Sequence, residues 1–306
     1  MMRFLFISAL LFLGLKSSSY AQNSLDLAVN GVGLSAGDSE TITGIRLNFR
    51  DNRMKRVNGI NATIWMPYKD KGGDVYGYAL GLPATGVDNL YGVGYGILGM
   101  GANRDIKGLA FGGLGAGAGR DVYGVAVGGL GVGAGRDVVG LMIGGLGAGA
   151  GQDLKGIVVA GLGAGAGRDI TGVVFAGVGG GAGRNFTGVS FSGVASGAGG
   201  TLKGVHMAGI AVGATTVRGI MLSGVAAGGK DVYAISVAPA YFNVVPGGEM
   251  RGLSVSAFNR IQGEQKGVTI GIVNYARKLS GLQLGLINIA KNKDRLSVMP
   301  IFNYSN

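Results

Sequence analysis

Asp121-Val122-Tyr123-Gly124-Val125-Ala126-Val127-Gly128-Gly129-Leu130-Gly131-Val132-Gly133-Ala134-Gly135-Arg136 is one copy of a unit that recurs along most of the chain. Its apolar residues alternate, which is the period of a strand. Val125 and Val127 share one phase and Leu130 and Val132 the other, with the switch at Gly128-Gly129. A straight chain would divide these four between two faces. A turn at Gly-Gly, where positive φ costs little, points all four the same way. Leu141, Ile143, Leu146 and Ala148 follow the same grammar, as do Val173, Phe175 and Val178. Helix is excluded, because each interior glycine costs about 1 kcal/mol relative to alanine and this copy holds six.

Repetition extends outward from this copy. Asp105, Asp121, Asp137, Asp153 and Asp169 recur every 16 residues, and Asn185 and Thr201 continue the series. Three residues after each comes an anchor glycine, from Gly108 and Gly124 to Gly188 and Gly204. Looser spacing continues the anchors to Gly92, Gly77, Gly59 and Gly44 on one side. On the other it reaches Gly219, Ala234, Gly252, Gly267 and Gly281. With a degenerate last copy near Arg295, this makes about 17 repeats of 14–18 residues.

Each repeat reads as two short strands, bent at Gly-Gly and again at Gly-Arg-Asp. One repeat cannot bury its own apolar face, so stacked copies form the folding unit. The expectation is an all-β, elongated, Gly-rich β-solenoid of parallel coils spaced about 4.8 Å apart, roughly 80 Å in length. Composition marks three zones after a leader at 1–21. Residues 22–72 form a basic N-terminal cap with divergent repeats, carrying Arg46, Arg50, Arg53, Lys55, Arg56, Lys69 and Lys71. Residues 73–230 form the Gly-rich array, and 231–306 the divergent C-terminal repeats and cap.

The alternative is an outer-membrane antiparallel β-barrel or pore with one strand per repeat. The 14 uncharged residues between Asp121 and Arg136 exceed the 9–11 or so that a spanning strand needs. Against it, every repeat ends alike, whereas barrels alternate short turns with long loops. The phase switch at Gly-Gly also breaks the alternation of lipid-facing and lumen-facing residues.

Composition excludes much chemistry. Glycine is 65 of 306 residues, cysteine is absent, histidine occurs once, and the formal net charge is +11. No disulfide framework, thiolate zinc site or thiol nucleophile is available. With 47 % hydrophobic and 14 % charged residues, the chain is too apolar for intrinsic disorder. Residues 1–21 have the form of a secretory signal peptide: Arg3, an apolar stretch Phe4 to Leu15, and Ser19-Tyr20-Ala21 before the expected cleavage at Gln22. The expected location is therefore outside the cytoplasm, at the cell surface, outer membrane or periplasm of a Gram-negative bacterium.

The C-terminal copies read Gly267-Val-Thr-Ile-Gly-Ile-Val-Asn274 and Gly281-Leu-Gln-Leu-Gly-Leu-Ile-Asn288-Ile-Ala, and the chain closes with Pro300-Ile-Phe-Asn303. This pattern resembles a family of bacterial exported surface-repeat proteins, most clearly over 252–303. The resemblance implies export and a surface or envelope location, and it brings no catalytic residues. Asn259, Asn274, Asn288 and Asn303 recur in step and are expected to stack as buried hydrogen-bonded side chains at a turn.

The chain offers no catalytic constellation and no cofactor site. Gly-x-Gly-x-x-Gly occurs often, but without a βαβ context or the acidic residue about 20 positions on. His206 falls at the strand position that holds Ala126, Met142 and Val158 elsewhere and is expected to point outward as an incidental surface residue. The Asp column follows Arg120, Arg136, Gln152 and Arg168. It reads as a turn and charge ladder rather than a calcium roll, which would need Asp inside the Gly-Gly-x-Gly segment.

The basic excess lies in the flanks, including Lys266, Arg277, Lys278, Lys291, Lys293 and Arg295. Basic ends would suit anionic lipid headgroups or acidic glycans. Nucleic acid does not fit, because aromatics do not interleave with these charges. The functional expectation is a non-enzymatic structural repeat protein that presents a flat repetitive face for adhesion, packing or self-association.

Overall fold

Gly-Gly bends and 16-residue periodicity build parallel coils. The structure, a computed structural model, describes residues 24–67 and 72–305, and the expected leader at 1–21 lies outside them. The described residues contain no helix. The chain divides into two compact units, Met1–Ala134 and Gly135–Asn306, within the Gly-rich array rather than at either composition boundary. Both are β-solenoids, with about 15 coils in all.

In unit 1, the strands Ser24–Val29 and Val32–Gly37 form an antiparallel hairpin. Its two-residue turn is Asn30-Gly31, at φ 51° and 75°, the positive-φ pair that a tight hairpin selects. Val32–Gly37 then pairs in parallel with Thr41–Arg50, and coiling begins. A complete coil is a long strand such as Ile106–Gly112, a bend at Gly113-Leu114, and a short strand such as Gly115–Ala118. Gly108 pairs with both Gly92 and Gly124, so each residue meets its equivalent in the neighbouring coils.

In unit 2 the same coil recurs from Val138–Gly144 and Gly147–Ala150 onward. After residue 194 the two strands of adjacent half-coils merge into longer ones such as Ala195–Ala208 and Tyr241–Val255. The final strand, Val298–Tyr304, turns back and pairs antiparallel with Leu282–Ala290. The degenerate copy near Arg295 therefore does not form a coil, which lowers the expected 17. Parallel, in-register neighbours also rule out the barrel alternative, which needs antiparallel ones.

Two glycine columns have steric causes. Gly172 has φ +143°, and a Cβ there would lie 1.9 Å from the carbonyl oxygen of Gly156. Gly188 meets Gly172 in the same way. At the bend, a Cβ on Gly177 would lie 1.9 Å from the oxygen of Gly161. Each column exists because the coil behind leaves no room for a side chain.

The core reverses part of the sequence expectation. Val125 and Val127 are half-buried and Leu130 is 50 % exposed, while Val132 alone of the four is buried. The interior of that coil takes Val122, Ala126, Val132 and Ala134. A narrow coil has room for one or two large side chains and fills its remaining inward positions with alanine or glycine. Bulky residues are displaced outward.

Candidate functional site

The displaced residues form three outer columns. In unit 2 the first runs from Leu141 and Ile157 through successive parallel partners to Leu282. The second runs in step from Ile143 and Val159 to Leu284, and includes Phe175 and Phe191, whose rings stack at 5.2 Å. The third occupies the bends, where Val178 N–H donates to Leu162 O at 2.8 Å and Val194 to Val178 at 2.8 Å. Leu162 is 52 % exposed and Phe175 42 %. None of these three columns holds a charged residue. A shallow trough along them is lined by Phe175, Phe191, Met207, Leu222, Val237 and Pro239. Soluble monomers rarely expose so much contiguous apolar surface without a partner for it.

Beside the bends, the short strands present glycine outward, as at Gly163, Gly165, Gly179 and Gly181. This is the flat face expected from the repeat. Two residues before the first apolar column lies a polar column. In unit 2 it includes Lys155, Lys203, Arg218, Tyr233 and Arg251. In unit 1 its counterpart is a cation–aromatic stack: Arg56 lies over Tyr76, Tyr76 stacks on Tyr91 at 4.5 Å, and Lys107 lies over Tyr91.

The acidic column forms a ladder, with pairing that sequence adjacency does not reveal. Arg120, Arg168 and Arg184 each reach back 15 residues to the aspartate of the coil before. Arg120 forks onto Asp105 in unit 1, and Arg168 donates to both oxygens of Asp153 in unit 2 at 3.1 and 2.9 Å. Arg184 grips Asp169 likewise. Asp carboxylates also accept the next coil's backbone: Asp153 N–H donates to Asp137 at 3.1 Å, and Asn185 N–H to Asp169 at 3.1 Å. The Arg184 guanidinium, helped by Asn185, lowers the Asp169 carboxyl to about 2. Arg136 lies 3.8 Å from Asp137, its sequence neighbour, and Asp105 and Asp121 are buried. Among the described residues no three acidic or histidine side chains converge on one point.

The Asn ladder is buried. Asn259 Nδ2 donates to Asn274 Oδ1 at 2.8 Å, and Asn274 Nδ2 to Asn288 Oδ1 at 2.8 Å. Asn303 falls outside it. The last strand runs antiparallel, which sets Asn303 opposite Gln283, where its Oδ1 accepts from Lys293 at 2.7 Å. At the basic C-terminal end, Lys266 and Lys278 are paired with Glu264. Lys266 and Arg251 together lower Glu249 to about 2.

Two buried polar groups were not legible in the sequence. His206 is 1 % exposed, not outward. The alternation that buries Ala126, Met142 and Val158 buries it too. Its Nδ1 lies 2.8 Å from Ser190 Oγ, which lies 2.6 Å from Ser196 Oγ, and its ring meets Phe186 edge-on. Burial pushes the imidazole below its ordinary 6.5, and the backbone of Lys203 offsets part of that. In unit 1, Arg46, one of the basic residues of the N-terminal segment, is fully buried. It donates to Asp51, to Asn61 Oδ1 at 3.0 Å and to Ser39 O at 3.0 Å. The only signal for it was its place opposite Asn61 at an inward position.

Fold and surfaces define a β-solenoid repeat protein with an apolar exterior. Comparison with protein-family models, curated proteins and solved structures finds no match to this chain.

Proposed function

We propose that this chain is a non-enzymatic, exported structural repeat protein of the cell envelope, which packs against another surface through its outer columns. One observation carries the reading: ten successive coils of unit 2 present apolar side chains outward with no charge among them. A face of this kind stays exposed in water only at a cost, and covering it recovers about 25 cal/mol per Å². Enzymatic readings have no support in the polar clusters, since the Ser190–Ser196–His206 group is sealed in the core. The leader-like 1–21 segment supports export.

The test is fractionation of cells producing the full chain and its Ile157→Thr/Phe175→Thr/Phe191→Thr variant. Thr favours strands and already occupies outward positions at Thr171 and Thr187. Retention of the parent in the envelope fraction, with release of the variant into the soluble fraction, supports the reading. Recovery of the parent in the cytoplasm, or identical fractionation of the two, overturns it. Circular dichroism confirms that the variant is folded.

A further inference from the structure

The apolar columns of unit 2 have a one-sided border. The polar column next to them carries Lys155, Lys203 and Arg218, all exposed. Among the described residues none of these three has a carboxylate partner, in contrast to Arg251 and Lys266, which are held by Glu249. The acids of the Gly-rich coils sit at the turn instead, where Asp153 and Asp169 are occupied by Arg168 and Arg184. Tyr233 lies between Arg218 and Arg251 in the same column, with guanidinium carbons 5.8 and 5.7 Å from its ring centre. The result is a stripe of aliphatic and phenylalanine side chains bordered by unpaired cations and a tyrosine. Nine spacings of about 4.8 Å make it roughly 43 Å long.

We propose that this stripe docks unit 2 on an anionic lipid surface, with the three apolar columns among the upper acyl chains and Lys155, Lys203, Arg218 and Tyr233 at the headgroups. This deepens the packing reading above and rests on it. The border chooses the occupant. Long cationic side chains lay their stems along apolar surface and carry their charge to the interface, and tyrosine is enriched there. Apolar area and cationic charge act together in interfacial binding. A second copy of the chain would bring apolar columns of its own, but they hold no carboxylate for the three unpaired cations. Coil-by-coil repetition suits a planar, laterally uniform partner, because each coil meets it in the same way.

The test is flotation of the purified full chain with vesicles of phosphatidylcholine alone and of phosphatidylcholine mixed with phosphatidylglycerol. Binding to the mixed vesicles is expected, and much weaker binding to phosphatidylcholine. Lys155→Glu/Lys203→Glu/Arg218→Glu should weaken binding to the mixed vesicles by about a hundredfold or more, since each cation near the surface contributes roughly fivefold. The Ile157→Thr/Phe175→Thr/Phe191→Thr variant should lose binding to both. Three results overturn the proposal: no flotation with either vesicle, flotation unchanged by both variants, or a lipid-free dimer that the threonine variant dissociates. If the parent floats with neither vesicle yet stays in the envelope fraction of cells, lipid docking is wrong while the envelope reading stands. If the parent floats but fractionates with the cytoplasm, the envelope reading fails alone. Matching strand-type dichroism and melting temperature in parent and variants excludes unfolding.

Discussion

Two stretches of unit 2 build the same coil by different means. In residues 137–194, the inward position of the short strand reads Ala148, Ala164 and Gly180. In residues 241–290 the same register position reads Phe242, Asn259, Asn274 and Asn288. The inward position of the long strand changes likewise, from Met142, Val158 and Val174 to Ser254, Thr269 and Gln283. The first stretch fixes its register by exclusion: glycine columns leave no other residue room to fit. The second keeps the anchor glycines Gly252, Gly267 and Gly281, where a Cβ would again strike the coil behind, and adds hydrogen bonds that only a correctly stacked neighbour can complete. Steric fit thus sets the register throughout, and the polar ladder reinforces it where the core admits side chains that can hydrogen-bond.

The largest test of this contrast is Gly172→Val. Its Cβ would collide with the Gly156 carbonyl at a positive φ, so a loss of more than about 3 kcal/mol in denaturant unfolding is expected. Ala234 occupies the same column between Gly219 and Gly252, and Ala234→Gly should cost less than about 1 kcal/mol. A loss for Gly172→Val as small as that for Ala234→Gly would show that steric exclusion does not set the glycine column. Next comes Asn274→Ala, which removes a buried bridge between Asn259 and Asn288. Asn259 Nδ2 keeps the Ser256 and Ile270 carbonyls, while Asn288 Oδ1 loses its donor; stranding one buried group costs about 1–3 kcal/mol, and chemical denaturation should report a loss in that range.

His206 lies between the two stretches, and His206→Met tests whether a polar core is needed there. Met221 already fills the adjacent register position, and Ser190 and Ser196 still satisfy one another. A gain of about 1 kcal/mol is expected. The pH dependence has a definite sign. A folded pKa below the unfolded 6.5 means that the unfolded chain binds more protons, so stability falls as pH drops below about 6.5. The Tm of the parent should fall more than that of the variant between about pH 7 and pH 5. Smallest is Arg168→Gln in the exposed ladder, with an expected loss of at most about 1 kcal/mol that shrinks in high salt. A larger loss would make the ladder a third register device.

The period, the anchors and the bends were legible in the sequence because they answer to backbone sterics, and Gly108, Gly124 and Gly140 state that requirement directly. The inside and outside of the coil were not. Bulk suggested that Val127 and Leu130 were core and that Ala126 was surface, because apolar pattern alone measures size and not the width of the space to be filled. The corrective signal was present. The position of Tyr123 holds Lys107, Val139, Lys155 and Thr171 in other copies, a mixture tolerated only in solvent. Counting by twos from there puts Val125 and Val127 outside as well. Pairing across coils was illegible for a different reason. Arg168 sits beside Asp169 in the chain yet bonds Asp153, because coil stacking brings residues 15 apart closer than the turn brings neighbours. Asn303 shared the spacing of the ladder but not its strand direction.

The surface that Gly156 presents to Gly172 is the one that Gly172 presents to Gly188. Any coil of the glycine-rich stretch can therefore follow any other, and the chain carries no internal count of how many it holds. Duplication or loss of one 16-residue block in the gene would leave the joints identical and change only the length, so this protein's reach can be inherited in whole steps.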